Sequence, residues 1–341
     1  MTQIMSERPA TVAADVLTIK DLKAYYVNEH FGVRREVRAV DGISLAVRRN
    51  EVYGIAGESS SGKTSLIKTL AGAIQPPMRV IEGSVTFDFG GKHIDVYAEP
   101  AKMKAARWQN LSYIMQGSMS VLNPVRRIKH AFNNFAYRHM GLDPSAFRSR
   151  VESHLQRLGL DPNVLEAFPH QLSGGMRQRV TIALATVCEP EFIIADEPTT
   201  ALDVLVQQDV LGLIKEVQSR LGSSVVFVTH DMSVHAAITD RLGIMYAGRL
   251  AEEGPTQAMF DNPQHPYTAH LIASLPRIGD VTTRKSLAGR PPSLANPPSG
   301  CRFHPRCPIA IERCSREVPE MLPSAIGGRV ACFRAGEVAV K

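Results

Sequence analysis

The clearest chemistry in this sequence lies in Gly57-Glu58-Ser59-Ser60-Ser61-Gly62-Lys63-Thr64. The spacing is that of a phosphate-binding loop, G-x-x-x-x-G-K-[ST]. Glycines let the backbone curl until several N–H groups face one anion, and a helix start adds its partial positive charge. Lys63 then reaches the β- and γ-phosphates of ATP as a point charge, the Thr64 hydroxyl ligates Mg2+, and Ser65 completes the candidate nucleotide-binding set. Ser60 stands where many such loops carry glycine. Either it adopts a positive φ, uncommon outside glycine, or the loop departs slightly from the usual geometry.

Two further constellations fit the same chemistry. Asp196 follows Phe192-Ile193-Ile194-Ala195, the end of an apolar strand, where a magnesium-orienting carboxylate belongs. Glu197 beside it is placed to polarise an attacking water. Leu172-Ser173-Gly174-Gly175-Met176 exposes backbone N–H groups at the start of another helix, a second anion site. One chain thus holds two phosphate-binding helix starts but one lysine-bearing loop. The economical arrangement is a head-to-tail dimer, each Ser173 turn capping the γ-phosphate on the other chain's loop. Tyr26, in a strand upstream, is placed either to stack on a nucleotide base or to pack within its sheet.

These groups need elements to hold them. Val52-Tyr53-Gly54-Ile55-Ala56 reads as a buried strand, and residues 64–73 as a helix with Leu66, Ile67 and Leu70 on one face. Strand patterns cover residues 16–19, 24–27, 43–47 and 111–115. Residues 84–89 and 93–97 alternate around Gly90-Gly91 and read as a hairpin. From about residue 125 to 187 helical periods dominate, as over 148–158 and 176–187, forming a helical insert. Then follow a strand over 192–195, a helix over 204–221, and strands over 225–228, 242–246 and 249–252. Strands alternating with helices imply a mostly parallel sheet covered on both faces. Pro291, Pro292, Pro297 and Pro298 stiffen an irregular tail, so a domain boundary is placed near 275–280.

Composition narrows the class. Hydrophobic content of 44% and charged content of 21% suit a globular protein, and no apolar run approaches a membrane span. Residues 1–14 lack a signal peptide's apolar core, so a cytoplasmic location is expected. The net charge of +6 is not gathered into a basic block, and nucleic acid is not expected as a partner. Cys188 stands alone, but Cys301, Cys307, Cys314 and Cys332 form C-x5-C-x6-C-x17-C. Reduced thiols, a zinc ion and an iron–sulfur cluster are all open to such a set. Arg302, Arg306, Arg313 and Arg316 lie among them, either offsetting thiolate charge or forming a solvated basic face.

The phosphate loop, Gln116, the Ser173 turn, Asp196-Glu197, Ala201-Leu202-Asp203 and His230 resemble, in their order, the motif set of ATP-binding-cassette ATPases over about residues 16–260. The resemblance implies an α/β fold. It implies a P-loop ATPase core over 1–275 with a mostly parallel sheet, an antiparallel β subdomain and a helical insert at about 117–187, followed by a small Cys-rich extension over 276–341. The resemblance assigns base stacking to Tyr26 and contact with Mg2+ or water to Gln116. Ser173, Gly174 and Gly175 would contact the opposite γ-phosphate. Glu197 would be the catalytic base, Asp203 would lie at the dimer seam, and His230 would sense the γ-phosphate.

Residues 168–179, 196–204, 262–268 and 300–308 further resemble the oligopeptide/dipeptide/nickel importer branch, some members of which handle oligosaccharides. That similarity implies a [4Fe–4S] cluster on the four late cysteines, with Zn2+ as the alternative. It implies a second, different ATPase subunit, two transmembrane permease subunits and an extracytoplasmic substrate-binding protein. The chain would sit peripherally on the cytoplasmic face of the inner membrane. Peptides are the expected cargo, with oligosaccharides or nickel as alternatives. A soluble cassette acting on ribosomes or DNA is the rival reading; it would typically carry two phosphate loops, or a long insertion in the core, and this sequence has neither.

Overall fold

Alternating apolar residues make the first part of the chain a sheet. A computed structural model describes residues 14–115, 121–200, 203–275, 287 and 289–337. In it the first two strand patterns are one strand, Asp15–His30, antiparallel to both Val33–Arg48 and Met78–Phe89. The register shifts between Ile19 and Leu22, where Asp21 takes φ 43°. That bulge interrupts the alternation and splits the pattern in two. Lys92–Asp95 closes a four-stranded antiparallel sheet through a turn in which Gly90 and Gly91 both have positive φ.

Among the described residues the second sheet has eight strands. Leu111–Ile114, Phe192–Asp196, Ser224–Val228, Val52–Ala56 and Arg241–Tyr246 run parallel, in that order. Three of them, Val52–Ala56, Phe192–Asp196 and Ser224–Val228, are buried at every residue, as expected of strands covered on both faces. Arg249–Pro255 then adds antiparallel, making the sheet mixed. Because the parallel strands share one direction, their C-terminal ends, Ile114, Asp196, Val228 and Ala56, meet along one edge. This is where an open α/β sheet places its ligands.

Helix Lys63–Leu70 packs Leu66, Ile67 and Leu70 into the core. It stops short of the expected end because Gly72 takes a left-handed conformation just beyond it. The helical insert contains Ile128–Phe135, Pro144–Arg157 and Gly174–Thr186 around Phe132, Phe147, Val151, Leu155 and Val180. Helix Val204–Leu221 follows the strand ending at Asp196. No helix among the described residues is long and apolar enough to cross a membrane.

The tail does not stand apart. Arg329–Val330 pairs with Arg249–Pro255, and Leu322–Pro323 pairs in turn with Arg329–Val330, so both extend the core sheet. Phe303 packs against Tyr246, Tyr267 and His265. Local periodicity could not show these contacts, which join residues far apart in sequence.

One buried charge ties the tail to the first sheet. The side chain of Asp41 is 5% exposed. It accepts from the Tyr25 hydroxyl, from Arg249 Nε and Nη2 (3.1 and 2.9 Å), and from Arg302 Nη2. Burial alone would raise its carboxyl, but Tyr25, Arg302 and Arg249 outweigh that and hold it below the ordinary value. Removing Asp41 leaves the buried Arg302 guanidinium uncompensated. Asp41→Ala should therefore cost about 3–5 kcal/mol in urea unfolding, and a loss under about 1 kcal/mol would contradict the assignment. A lowered carboxyl stabilises fully above its unfolded pKa and loses that contribution as pH falls through its folded one. The wild-type protein should thus show an acid-side stability loss that Asp41→Ala lacks.

Candidate functional site

The phosphate loop lies at the end of Val52–Ala56 and opens helix Lys63–Leu70. Glycine is required at its two fixed positions. At Gly57 (φ 148°) a Cβ would meet the Met245 carbonyl at 2.2 Å, and at Gly62 (φ 104°) the Ala39 carbonyl at 2.0 Å. Ser60 has φ 65°, so the serine adopts the left-handed conformation and the loop keeps its curl. Lys63 Nζ donates to the carbonyls of Gly57 (2.7 Å) and Glu58 (2.9 Å) and to Ser61 Oγ (3.4 Å). Burial pushes its ammonium below the ordinary value, and Glu197, Asp196 and Glu58 oppose that fall. The two carboxylates at the neighbouring strand end are therefore electrostatic neighbours of the loop lysine. Ser59 and Thr64 are exposed at the loop mouth. The Tyr26 hydroxyl lies 3.1 Å from Ser65 Oγ, which puts its ring beside the loop's helix.

Asp196 has one oxygen engaged: Oδ2 accepts from the Tyr113 hydroxyl at 3.0 Å. Its other oxygen, Oδ1, is buried without a hydrogen-bond partner. Burial pushes this carboxyl up, while the Tyr113 bond, Lys68 and Lys63 pull it down. An orphaned carboxylate oxygen near Lys63 suits a hard cation that prefers oxygen ligands. Glu197 follows with φ 45°, and its N–H donates to the Val228 carbonyl at 2.8 Å. Its Oε2 accepts from Thr200 Oγ1 (3.0 Å), and its Oε1 lies 3.2 Å from His230 Nδ1. The structure thus brings Lys63, Asp196, Glu197 and His230 to one edge. Gln116, and Ala201-Leu202 of the later motif, lie outside the described residues.

Ser173 is the N-cap of helix Gly174–Thr186, its Oγ accepting from the Met176 N–H at 3.2 Å. Asp203 caps the next helix, accepting from the Val206 N–H at 2.9 Å. Gly175 faces that helix, where a Cβ would meet Val206 Cγ1 at 3.2 Å. Ser173, Gly175 and Asp203 therefore lie at two helix starts that pack together. Neither start makes a hydrogen bond to the chain's own phosphate loop among the described residues.

The sequence matches the ABC transporter family over residues 40–200 and the oligopeptide/dipeptide transporter C-terminal region over residues 251–314. It is 38% identical to the dipeptide transport ATP-binding protein DppD of Caldanaerobacter subterraneus subsp. tengcongensis, over 93% of this chain and 96% of that protein. The chain belongs to the ABC transporter family. This cassette is also 40% identical to DppD of Bacillus subtilis, over 87% of the chain and 89% of the relative. It is 36% identical to the oligopeptide transport ATP-binding protein AppF of the same organism, over 93% and 96%. In fold it resembles the dimeric bacterial ABC transporter cassette MJ0796, with a TM-score of 0.59 and 24% identity over 70% of this chain and 98% of the other.

In the cassette's tail, Cys301, Cys307, Cys314 and Cys332 line one small cavity with Phe303 and Arg334. The Cys301 N–H donates to the Cys314 carbonyl at 2.8 Å. Burial pushes the Cys301 and Cys307 thiols up, and Cys332 up to about 11. Among the described residues no three His, Cys, Asp or Glu side chains form a metal-holding group.

Of the four arginines, Arg302 and Arg306 fit neither alternative of the sequence reading, whereas Arg313 and Arg316 lie on a solvated face. Arg302 and Arg306 turn away from the thiols, to Asp41 and Glu58 of the cassette. Arg313 pairs with Glu317 and Arg316 with Glu312, both exposed. The cation that acts on Cys307 is Arg334. Sequence reasoning also missed Tyr113 on Asp196, and Tyr267, whose hydroxyl accepts from the Glu58 N–H at 2.8 Å. Separations of 83 and 209 residues left no local signal for either.

A groove of about 600 Å³ runs between the sheet edge and the helical insert, lined by Trp108, Tyr113, Met115, Val121, Phe135 and Leu184. Met115, Val121 and Phe135 are exposed there, 52%, 41% and 38% respectively.

Proposed function

We propose that this cassette is the ATP-binding and ATP-hydrolysing subunit of a peptide importer, working on separate permease subunits from the cytoplasmic face of the membrane. The observation that carries this reading is the meeting of Lys63, Asp196, Glu197 and His230 at one sheet edge, in a chain whose relatives over most of its length are dipeptide and oligopeptide transport ATP-binding proteins.

The roles follow from position. Residues 57–65 hold the phosphates, with Tyr26 against the base. Thr64, Asp196 and Gln116 would hold Mg2+, and the orphaned Asp196 Oδ1 supports that fit. The ion supplies charge neutralisation on the β- and γ-oxygens. Glu197 takes the proton of the attacking water, and His230 orients it and reports on the γ-phosphate. Ser173, Gly174, Gly175 and Asp203 serve the opposite subunit's nucleotide, which agrees with their separation from the loop in their own chain. ATP drives closure because only the closed pair contacts its γ-phosphate from both sides, and hydrolysis removes that difference.

We divide the chain into a nucleotide-binding domain over 1–275, with its helical insert at about 117–187, and an extension over 276–341. The partner ATPase is a related, different chain. Of two permeases, one docks in this subunit's apolar groove beside Trp108 and Phe135 and the other on the partner ATPase, and an external binding protein delivers cargo. Reconstitution with the cognate permeases and binding protein tests the cargo. Stimulation of ATPase by di- and oligopeptides supports the reading; stimulation only by oligosaccharides or nickel overturns it.

Cys301, Cys307, Cys314 and Cys332, which line one cavity, would hold a [4Fe–4S] cluster in preference to Zn2+, because the resemblance of the 300–308 segment points that way. When bound it would cross-link the turns of the extension. Anaerobically purified protein should carry about four irons per chain and absorb visible light. Colourless protein containing zinc, or no metal, would contradict this.

A further inference from the structure

Glu58 occupies a loop that must hold three phosphates. A bare carboxylate at the loop's second position repels an anionic ligand. In the folded chain this charge is met from 248 residues away, by Arg306. Its Nη1 donates to Glu58 Oε2 at 2.7 Å and its Nη2 to Oε1 at 3.0 Å, a two-pronged pair. Arg306 also donates to the Tyr246 hydroxyl at 3.1 Å and lies over that ring, 5.8 Å from its centre. Its side chain is 6% exposed, whereas that of Glu58 is 26% exposed, so the guanidinium is the buried member of the pair. The backbone of Glu58 is held as well, by the Tyr267 hydroxyl. Tyr246, Tyr267 and Phe303 pack against one another and form the wall behind Arg306.

Side chain and main chain of Glu58 are thus both fixed by residues outside the phosphate-loop motif, and Arg306 comes from the extension. A loop already held in its binding shape loses less freedom when ligand arrives. We propose that Arg306 is a positioning residue of the nucleotide site. It cancels the Glu58 charge and fixes the first half of the phosphate loop, so this subunit's ATP affinity depends on its C-terminal extension. The inference rests on the reading of residues 57–64 as the ATP-binding loop.

The test is equilibrium binding of a fluorescent ATP analogue to the purified full chain. Arg306→Met leaves Glu58 uncompensated and should raise the dissociation constant roughly tenfold. Amide hydrogen exchange across residues 57–62 should become faster. Glu58→Gln removes the repulsion. The double variant Glu58→Gln/Arg306→Met should therefore bind within about threefold of Glu58→Gln alone. A merely structural arginine would give no such rescue. In the assembled importer the loss should fall on KM and leave kcat within about twofold of wild type.

Should Arg306→Met not fold, Arg306→Lys carries the same comparison, because one ammonium cannot make the two-pronged contact. It should bind more weakly than wild type and recover with Glu58→Gln. Wild-type affinity in a folded Arg306 variant, or a double variant that binds no better than the Arg306 single variant, overturns the proposal. Lys63→Ala separates the two layers. Unchanged binding there removes the ATP reading itself, whereas lost binding beside an unaffected Arg306→Met removes only this inference.

Discussion

Glu197→Gln should stop turnover while leaving ATP bound. The amide keeps the size of the carboxylate and can still meet Thr200 and His230, so the site should hold its shape. What it loses is the capacity to take a proton from water. General-base catalysis is typically worth about 10²–10⁴-fold, and kcat should fall by that order. Affinity for ATP should not fall, because the residues that grip phosphate are untouched. The assembled importer should therefore accumulate ATP-bound, closed complexes, measurable as unhydrolysed nucleotide retained through gel filtration. Turnover within about twofold of wild type would remove Glu197 from the catalytic role.

Lys63→Ala should fail earlier, at binding. The lysine is a cation shared by Glu197 and Asp196, whereas Glu58 is met by Arg306. Without it, a triphosphate meets those two carboxylates with one fewer positive charge. Loss of a preorganised charge at a developing anion costs about 10²–10³-fold in rate, and affinity should drop as well. Lys63→Arg should not restore activity, since a planar fork cannot occupy the space in which the ammonium meets three loop oxygens. The two variants thus part company: one binds ATP without cleaving it, the other scarcely binds it. Measuring nucleotide affinity and kcat on both separates the roles. Near wild-type hydrolysis by Lys63→Ala would contradict the phosphate role of the loop.

Legibility of this site followed sequence distance. The phosphate loop was readable because its glycines, lysine and threonine are neighbours whose spacing is dictated by one anion. Asp196 was readable because four apolar residues before it announce a buried strand end. The Ser173 turn was readable as a helix start because a serine and two glycines precede an apolar period, and Ser173 does cap that helix, with Gly175 beside Val206. Ser60 could not be settled from its type alone, since only the backbone shows that it takes the left-handed conformation. Tyr113, Tyr267 and Arg306 were invisible. Each acts on the site across scores or hundreds of residues, and nothing local marks it. In the fold, the strand Asp15–His30 looked like two because of its bulge. Nothing local in the proline-rich tail announces the pairing of Arg329–Val330 with Arg249–Pro255 at the sheet edge.

The central claim is that ATP is gripped from both sides, by Lys63 of one subunit and a serine–glycine turn of its neighbour. A structure of the assembled importer with Glu197→Gln and ATP bound tests it most directly. The expected result is the Ser173 hydroxyl and the Gly175 N–H within hydrogen-bond reach of the γ-phosphate held by the opposite phosphate loop. A Ser173 turn facing solvent, away from any bound nucleotide, would contradict it.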